Sequence, residues 1–310
     1  MNKKKRDRMK LSPLGWIVPV LLLCFSCNKK NKEDHFVVFS GQIKNSNLDS
    51  IYIDLNNRYK GFALDFDGNF SDTIQLDHEG YKVLSIDREE FPIYLASEDS
   101  LSLKVDLNNV DGTFYFKGKG AERNNYLFEK SLLLDQWMAN DRVFRLDADE
   151  YRANIGDFST ELRRLLKEMD EKDFEKVEVR NIYFDEFNLL HVYRDSFAYF
   201  NPTKPQLPVN FLNFKKFNLD NEENFNQFQS YRSIVTHYLD ERLESGESPI
   251  AILKSIKSES IQRAFVRTLI DNLDPNDTTS SEAYQAIQKY CKYKPWIEEA
   301  NQIMDNPKKN

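Results

Sequence analysis

Near residue 120 the apolar residues switch from a period of two to a helical period, and a chain with that switch must build two kinds of layer in succession. Before it, short runs of β-branched and aromatic residues recur at about 8 to 12 residue spacing. They are FVVFSGQI, SIYIDL, GFALDF, FSDTIQL, YKVLSI, FPIYLA, SLSLKVDL and GTFYFKG. Alternation is clearest at Ile51, Ile53 and Leu55 and at Leu101, Leu103 and Val105, which predicts one buried face per strand. Seven of the ten glycines lie from Gly41 to Gly120, and only Gly156 and Gly246 follow, so the turns are concentrated in the first part. The expected fold class is α+β: an antiparallel β-sandwich over residues 35–120, then an all-α helical domain over residues 121–310.

Asp67 and Gly68 between two strand runs read as a hairpin turn, because both residues tolerate positive φ. A calcium loop through Asp65, Asp67 and Gly68 would have to end on Ile74, which has no ligand oxygen in its side chain, so no metal is assigned. After the switch, Tyr126, Leu127, Lys130, Leu133, Leu134 and Trp137 form an opening helical stripe, with Lys130 expected to snorkel. Phe158, Leu162, Leu165, Leu166 and Met169 form a second stripe. Residues 182–200 are apolar around most of the circumference, which predicts the most enclosed helix. Pro202, Pro205 and Pro208 then impose an extended connection. Asp220 with Glu223 and Thr279 with Glu282 have capping-box spacing, and Ser248-Pro249 fits an N-cap followed by N1. Further helices are expected over 252–256, 261–273 and 283–290.

The first residues read as an address. MNKKKRDRMK is a positively charged start, and residues 14–25 (LGWIVPVLLLCF) are an apolar run of signal-peptide length, too short to span a bilayer. Ser26 before Cys27 fits a lipobox, although Cys24 stands where leucine is usual. Cys24 itself is preceded by the bulky Leu23, so residues 1–26 are read as the lipoprotein signal peptide and Cys27 as the acylated residue. Acyl chains bury about 0.8 kcal/mol per CH₂, and several together hold a protein on a membrane. Residues 27–34 are the lipidated cysteine and a polar tether. The chain carries 43 Lys and Arg against 50 Asp and Glu, and without residues 1–26 its net charge is about −12. A surface so acidic excludes a nucleic-acid partner.

The join GTFYFKGKGAERNNYL, with a Phe-x-Gly-x-Gly turn and Asn124-Asn125 opening a helix, resembles the N-terminal region of TlpA-type thiol-disulfide oxidoreductase lipoproteins of Bacteroidota. GQIKN, LDFDGNF and PIYLASEDSLSLKVDL are similar too. Ser97-Glu98-Asp99 departs from that family's Gly-Asp by lacking the glycine. The resemblance implies a sandwich over about residues 35–130 and a place in the cell envelope, on the outer membrane, with periplasmic and surface-facing orientations both open. It also implies a thioredoxin domain with a Cys-x-x-Cys pair, which is not expected within these 310 residues. With Cys24 cleaved and Cys27 acylated, Cys291 would be the only free thiol, and one thiol cannot cycle as an intramolecular dithiol.

Cys291 follows Ile287 and Ala283 on one helical face, which predicts a buried cysteine; the flanking lysines would favour a mixed disulfide with an external thioredoxin-fold partner if it were exposed. His35, His78, His191 and His237 lack ligand spacing and read as structural or surface residues. Asp147, Asp149 and Glu150, and Glu168, Asp170 and Glu171, read as solvated helix faces. Phe211, Phe214 and Phe217 lie beside the proline connection and are the candidates for a surface groove. No nucleophile elbow, phosphate-binding loop or dinucleotide fingerprint occurs, so no cofactor and no catalytic residue is assigned. The sequence-level expectation is a non-catalytic, lipid-anchored envelope binding or scaffold protein assisting a separate thioredoxin-like partner. The alternative is a surface lipoprotein that binds glycan or peptide for nutrient uptake.

Overall fold

All eight apolar runs become strands, and the alternating residues within them become the contact between two sheets. The structure, a computed structural model, describes residues 36–56, 58–208, 210–277 and 280–305. The strands are β1 (Phe36–Lys44), β2 (Ser50–Asp54), β3 (Tyr59–Ala63), β4 (Asn69–Gln75), β5 (Gly80–Ile86), β6 (Glu89–Leu95), β7 (Ser100–Asp106) and β8 (Tyr115–Lys119). One sheet has the order β4-β1-β7-β8 and the other β3-β2-β5-β6. Ile51, Ile53, Leu101, Leu103 and Val105 are all buried, as their alternation requires. Phe39 of β1 meets Phe62 of β3 across the sheets, with ring centroids 5.1 Å apart. Each such side chain contributes about 1.5 to 3 kcal/mol by leaving water.

Two details of the sandwich differ from the sequence expectation. Five of the six strand pairings are antiparallel, but β1 and β7 run parallel, from Val38 opposite Ser100 to Lys44 opposite Asp106. The chain leaves the first sheet after β4, adds β5 and β6 to the second, and returns beside β1 in the same direction. The Asp67-Gly68 turn forms, with Asp65 accepting hydrogen bonds from the amides of Asp67 and Asn69 and Gly68 at φ +76°. It is a crossing between sheets rather than a hairpin, because β3 pairs with β2 while β4 pairs with β1. A Cβ at residue 68 would collide with the Ile43 carbonyl, so only glycine fits.

The second half is helical: α1 (Val110–Thr113) is a single turn before β8, followed by α2 (Ala121–Met138), α3 (Ala148–Lys167), α4 (Lys172–Phe200), α5 (Glu222–Gln227), α6 (Gln229–Glu244), α7 (Pro249–Ser255), α8 (Glu259–Asp271), α9 (Ser280–Tyr290) and α10 (Lys294–Asp305). Sandwich and helices belong to one compact unit. Helix α4 starts ten residues before the apolar run and is not enclosed all round, since Val179, Tyr183, Val192 and Tyr199 are exposed. Ser248 caps α7 as expected. Asn221, not Asp220, caps α5; the Asp220 carboxylate instead accepts from the amides of Lys257 and Ser258 at the start of α8. Thr279 lies outside the described residues. Asp147, Asp149 and Glu150 are exposed as expected, and Asp147 with Glu150 also forms a complete capping box on α3.

The join between the halves is made by two adjacent asparagines. Asn124 is fully buried and copies a strand's hydrogen bonding: its Oδ1 accepts from the Tyr94 amide at 2.8 Å, and its Nδ2 donates to the Tyr94 carbonyl at 3.0 Å. Asn125 does the same to Phe116, accepting at 2.7 Å and donating at 3.1 Å. Tyr94 is on β6 and Phe116 on β8, the edge strands of the two different sheets. Between them, Arg123 is buried against Asp99 and Glu171, linking the β6–β7 turn to the entry of α4. Burial works against its charge, and the hydrogen bonds to those carboxylates more than offset it. A Cβ on Gly120 would sit 2.7 Å from both Arg123 and Asp99, which explains the second glycine of the join.

Replacing Asn124 by alanine strands a buried amide and a buried carbonyl, and should cost roughly 3 kcal/mol. Urea unfolding checks this, with Asn125→Ala expected to cost less because its site is only half-buried.

Candidate functional site

The apolar stripe of α2 carries one lysine, and the structure places it in the interior. Lys130 does not snorkel: its Nζ lies 2.5 Å from Glu178 Oε1 and 2.6 Å from Asp185 Oδ2, both on α4. The ammonium turns to these two α4 carboxylates, and the side chain is largely buried. Glu178, which is fully buried, also accepts from the hydroxyls of Tyr81 and Tyr126 and from the Asn181 amide, while Asp185 accepts from Ser230. Burial penalises the Lys130 ammonium, but Asp185 and Glu178 together outweigh it and hold the pKa above the ordinary lysine value. Burial first, and Glu178 second, push the Tyr81 and Tyr126 phenols well up. The cluster ties β5, α2, α4 and α6 together around the Lys130 ammonium.

A cleft opens beside this cluster, between the mouth of the sandwich and α5, α8 and α10. Its main cavity has a volume of about 890 Å³, and a smaller one of about 190 Å³ reaches Lys130. The two share Asn56, Tyr81, Lys82, Gln227 and Arg232. Lys82 has the same strand parity as the core residues Leu84 and Ile86, so its stem packs at the end of the sandwich interior. Burial pulls its pKa down against the pull of Asp54 and Asp77. Arg232 is likewise lowered by burial, against Asp54. Leu55, Leu76, Phe225, Ala264 and Trp296 supply apolar wall.

The residues singled out from sequence are distributed differently. Cys27 lies outside the described residues, as does Cys24; the two are spaced as Cys-x-x-Cys, a spacing that the expected cleavage would erase. Cys291 is half-buried rather than core, because α9 ends one residue before it; its thiol approaches the Tyr293 carbonyl at 3.5 Å and lines a third cavity of about 590 Å³ next to Trp296. Phe211 is not a surface residue: it is buried against Tyr193, with the Arg152 guanidinium 4.4 Å above its ring. Phe214 and Phe217 are half-buried on Phe187 and line an open depression with Leu219 and Tyr238.

Two histidines far apart in sequence stack with centroids 3.7 Å apart, His191 on α4 and His237 on α6. His191 Nε2 faces the Arg194 guanidinium at 2.8 Å and Nδ1 faces Asp195 at 2.9 Å, an arrangement suited to the neutral ring protonated on Nδ1. Burial, then the His237 charge, lowers its pKa to about 4. Among the described residues no group of three or more His, Cys, Asp or Glu side chains could hold a metal ion, and no helix is long and apolar enough to cross a membrane. No catalytic motif is visible.

Lys130→Met leaves two carboxylates without their cation and should destabilise by about 3 to 5 kcal/mol; adding Glu178→Gln and Asp185→Asn should recover part of this in denaturant titrations. For His191, the unfolded chain binds a proton near 6.5 and the folded chain only near 4. Stability from this group is therefore complete above the ordinary histidine value, falls as pH drops between those two values, and is flat below them. Unfolding midpoints measured across that range should show the slope, and His191→Gln should flatten it. Comparison of the chain with protein-family models, with curated proteins and with solved structures finds no match.

Proposed function

We propose that this chain is a lipid-anchored binding protein of the bacterial cell envelope, without catalysis of its own, that presents its cleft to a ligand or partner. The observation that carries the reading is the cleft itself: charged and apolar walls drawn from both halves, next to a polar cluster that is already internally satisfied. Lys130 pairs with both Glu178 and Asp185, and the two tyrosine hydroxyls donate to Glu178, which suits positioning rather than turnover.

The resemblance to the N-terminal region of TlpA-type lipoproteins gains support from the join. Asp99 holds Arg123, and Glu98 stands at φ +64° where that family has glycine, so this chain keeps the left-handed turn without the residue that adopts it most easily. Asn124 and Asn125, the asparagines of the motif, tie the helices to the sheets. On this reading the half-buried Cys291, at the edge of a cavity, is the contact point for a thioredoxin-fold partner. The Phe214 and Phe217 depression favours the second reading, a surface lipoprotein that binds glycan or peptide.

Full-length protein grown with a palmitate analogue should take the label and sediment with membranes, and Cys27→Ala should do neither. Purified protein should leave insulin disulfides intact. Labelling of Cys27→Ala would remove the anchor, and insulin reduction abolished by Cys291→Ser would remove the non-catalytic assignment.

A further inference from the structure

Most buried cations in this fold have carboxylate partners. Among the described residues Arg123 has Asp99 and Glu171 and Lys130 has Glu178 and Asp185, and the more exposed Arg267 at the edge of the cleft has Asp271 and Glu299. Lys82 is the exception. It is 5% exposed, and among the described residues its ammonium makes no hydrogen bond and no ion pair within 4 Å. Arg232, half-buried on the same cavity wall, donates only to the carbonyls of Phe225 and Asn226, at 3.1 and 3.3 Å. Asp54 acts on both cations from a distance but pairs directly with neither among the described residues, so both keep donors free toward the one cavity they line, where a ligand anion can take them up.

We propose that the cleft binds a small monoanionic carboxylate with an apolar body, its carboxylate held by Lys82 and Arg232. The inference rests on the binding reading above and names its ligand class. A cavity of about 890 Å³ has the size of a small-molecule site. The apolar wall of Leu55, Leu76, Phe225 and Trp296 lies beside the two cations and suits a hydrocarbon or aromatic body. The charge is limited by the acidic residues that also line the cavity, Asp54, Asp77, Glu79 and Glu223, which repel a dianion such as phosphate more than a single carboxylate. A guanidinium and an ammonium on the wall of one cavity can each give a carboxylate charge-assisted hydrogen bonds stronger than those of water.

Thermal unfolding of the detergent-solubilised full chain tests this with three probes: 3-phenylpropanoate, its amide and inorganic phosphate. The carboxylate at about ten times its dissociation constant should raise the melting temperature by about 3 °C, and the amide and phosphate should not. Lys82→Met keeps the buried stem and should melt close to the parent, and should lose the shift. Arg232→Gln should weaken the shift at least tenfold in ligand concentration. Equal shifts from acid and amide, a shift from phosphate alone, no shift from the carboxylate, or a full shift retained in Lys82→Met would each overturn the proposal. None of these outcomes moves the palmitate-analogue or insulin readouts, so the two readings fail separately.

Discussion

Two neighbouring amides on α2 decide how the rest of the molecule is arranged. An edge strand exposes unpaired backbone groups, and a sandwich has such edges on both sheets. Asn124 satisfies the edge of one sheet at Tyr94 and Asn125 the edge of the other at Phe116, so a single helical turn closes both. Because consecutive helical residues point about 100° apart, this works only if α2 enters along the line between the two sheets. The entry is set by Gly120 at φ +87° and by the Arg123 ion pairs that flank it. Once α2 is fixed in direction, Lys130 two turns later falls under α4, and the helices that follow are stacked against the mouth of the sandwich.

Lys130 then acts as a register pin. Purely apolar packing between α2 and α4 would tolerate sliding by a turn, with modest loss. A buried ammonium does not, because displacement by a few ångströms would separate it from Glu178 and Asp185 in a medium that cannot solvate it. The tyrosines extend the constraint: Tyr81 carries it to β5, and Ser230 carries it through Asp185 to α6. The polar interior of this fold thus supplies position, while its stability comes from the aromatic and aliphatic clusters around it.

The layers were legible in the sequence because they rest on local periodicity. Alternation at Ile51 and Ile53 or at Leu101 and Leu103 needs no knowledge of what lies opposite, and all eight strands followed from such runs. Helix stripes and the Ser248 cap were legible for the same reason. What escaped depends on partners distant in the chain. Periodicity placed Lys130 on an apolar face but could not show Glu178 and Asp185 waiting there. The capping box of Asp147 and Glu150 had the right spacing and was hidden inside an acidic run. His191 and His237 meet only because α4 and α6 pack together, and Phe211 is buried because Tyr193 and Arg152, both distant in the chain, pack on it. Cys291 shared a helical face with Ile287, yet α9 stops at Tyr290, so the face it was assigned to does not continue.

The same reasoning explains why the cleft forms where it does. The sandwich mouth, near Leu55, Leu76 and Lys82, is where β2 and β4 end and β5 begins, and a sheet end has loops rather than a flat face to pack upon. Helices α5, α8 and α10 meet it with their own ends and edges, leaving a gap. Filling such a gap with large apolar side chains would lower the energy of the folded state, as it does elsewhere in the two main clusters. Instead the walls carry Lys82 and Arg232 beside Leu55 and Phe225, a combination that is poor for closing a core and good for holding an amphipathic carboxylate. Here these two cations make no direct ion pair among the described residues, whereas those of the join and of the Lys130 cluster do; such a local exception is the usual mark of a site.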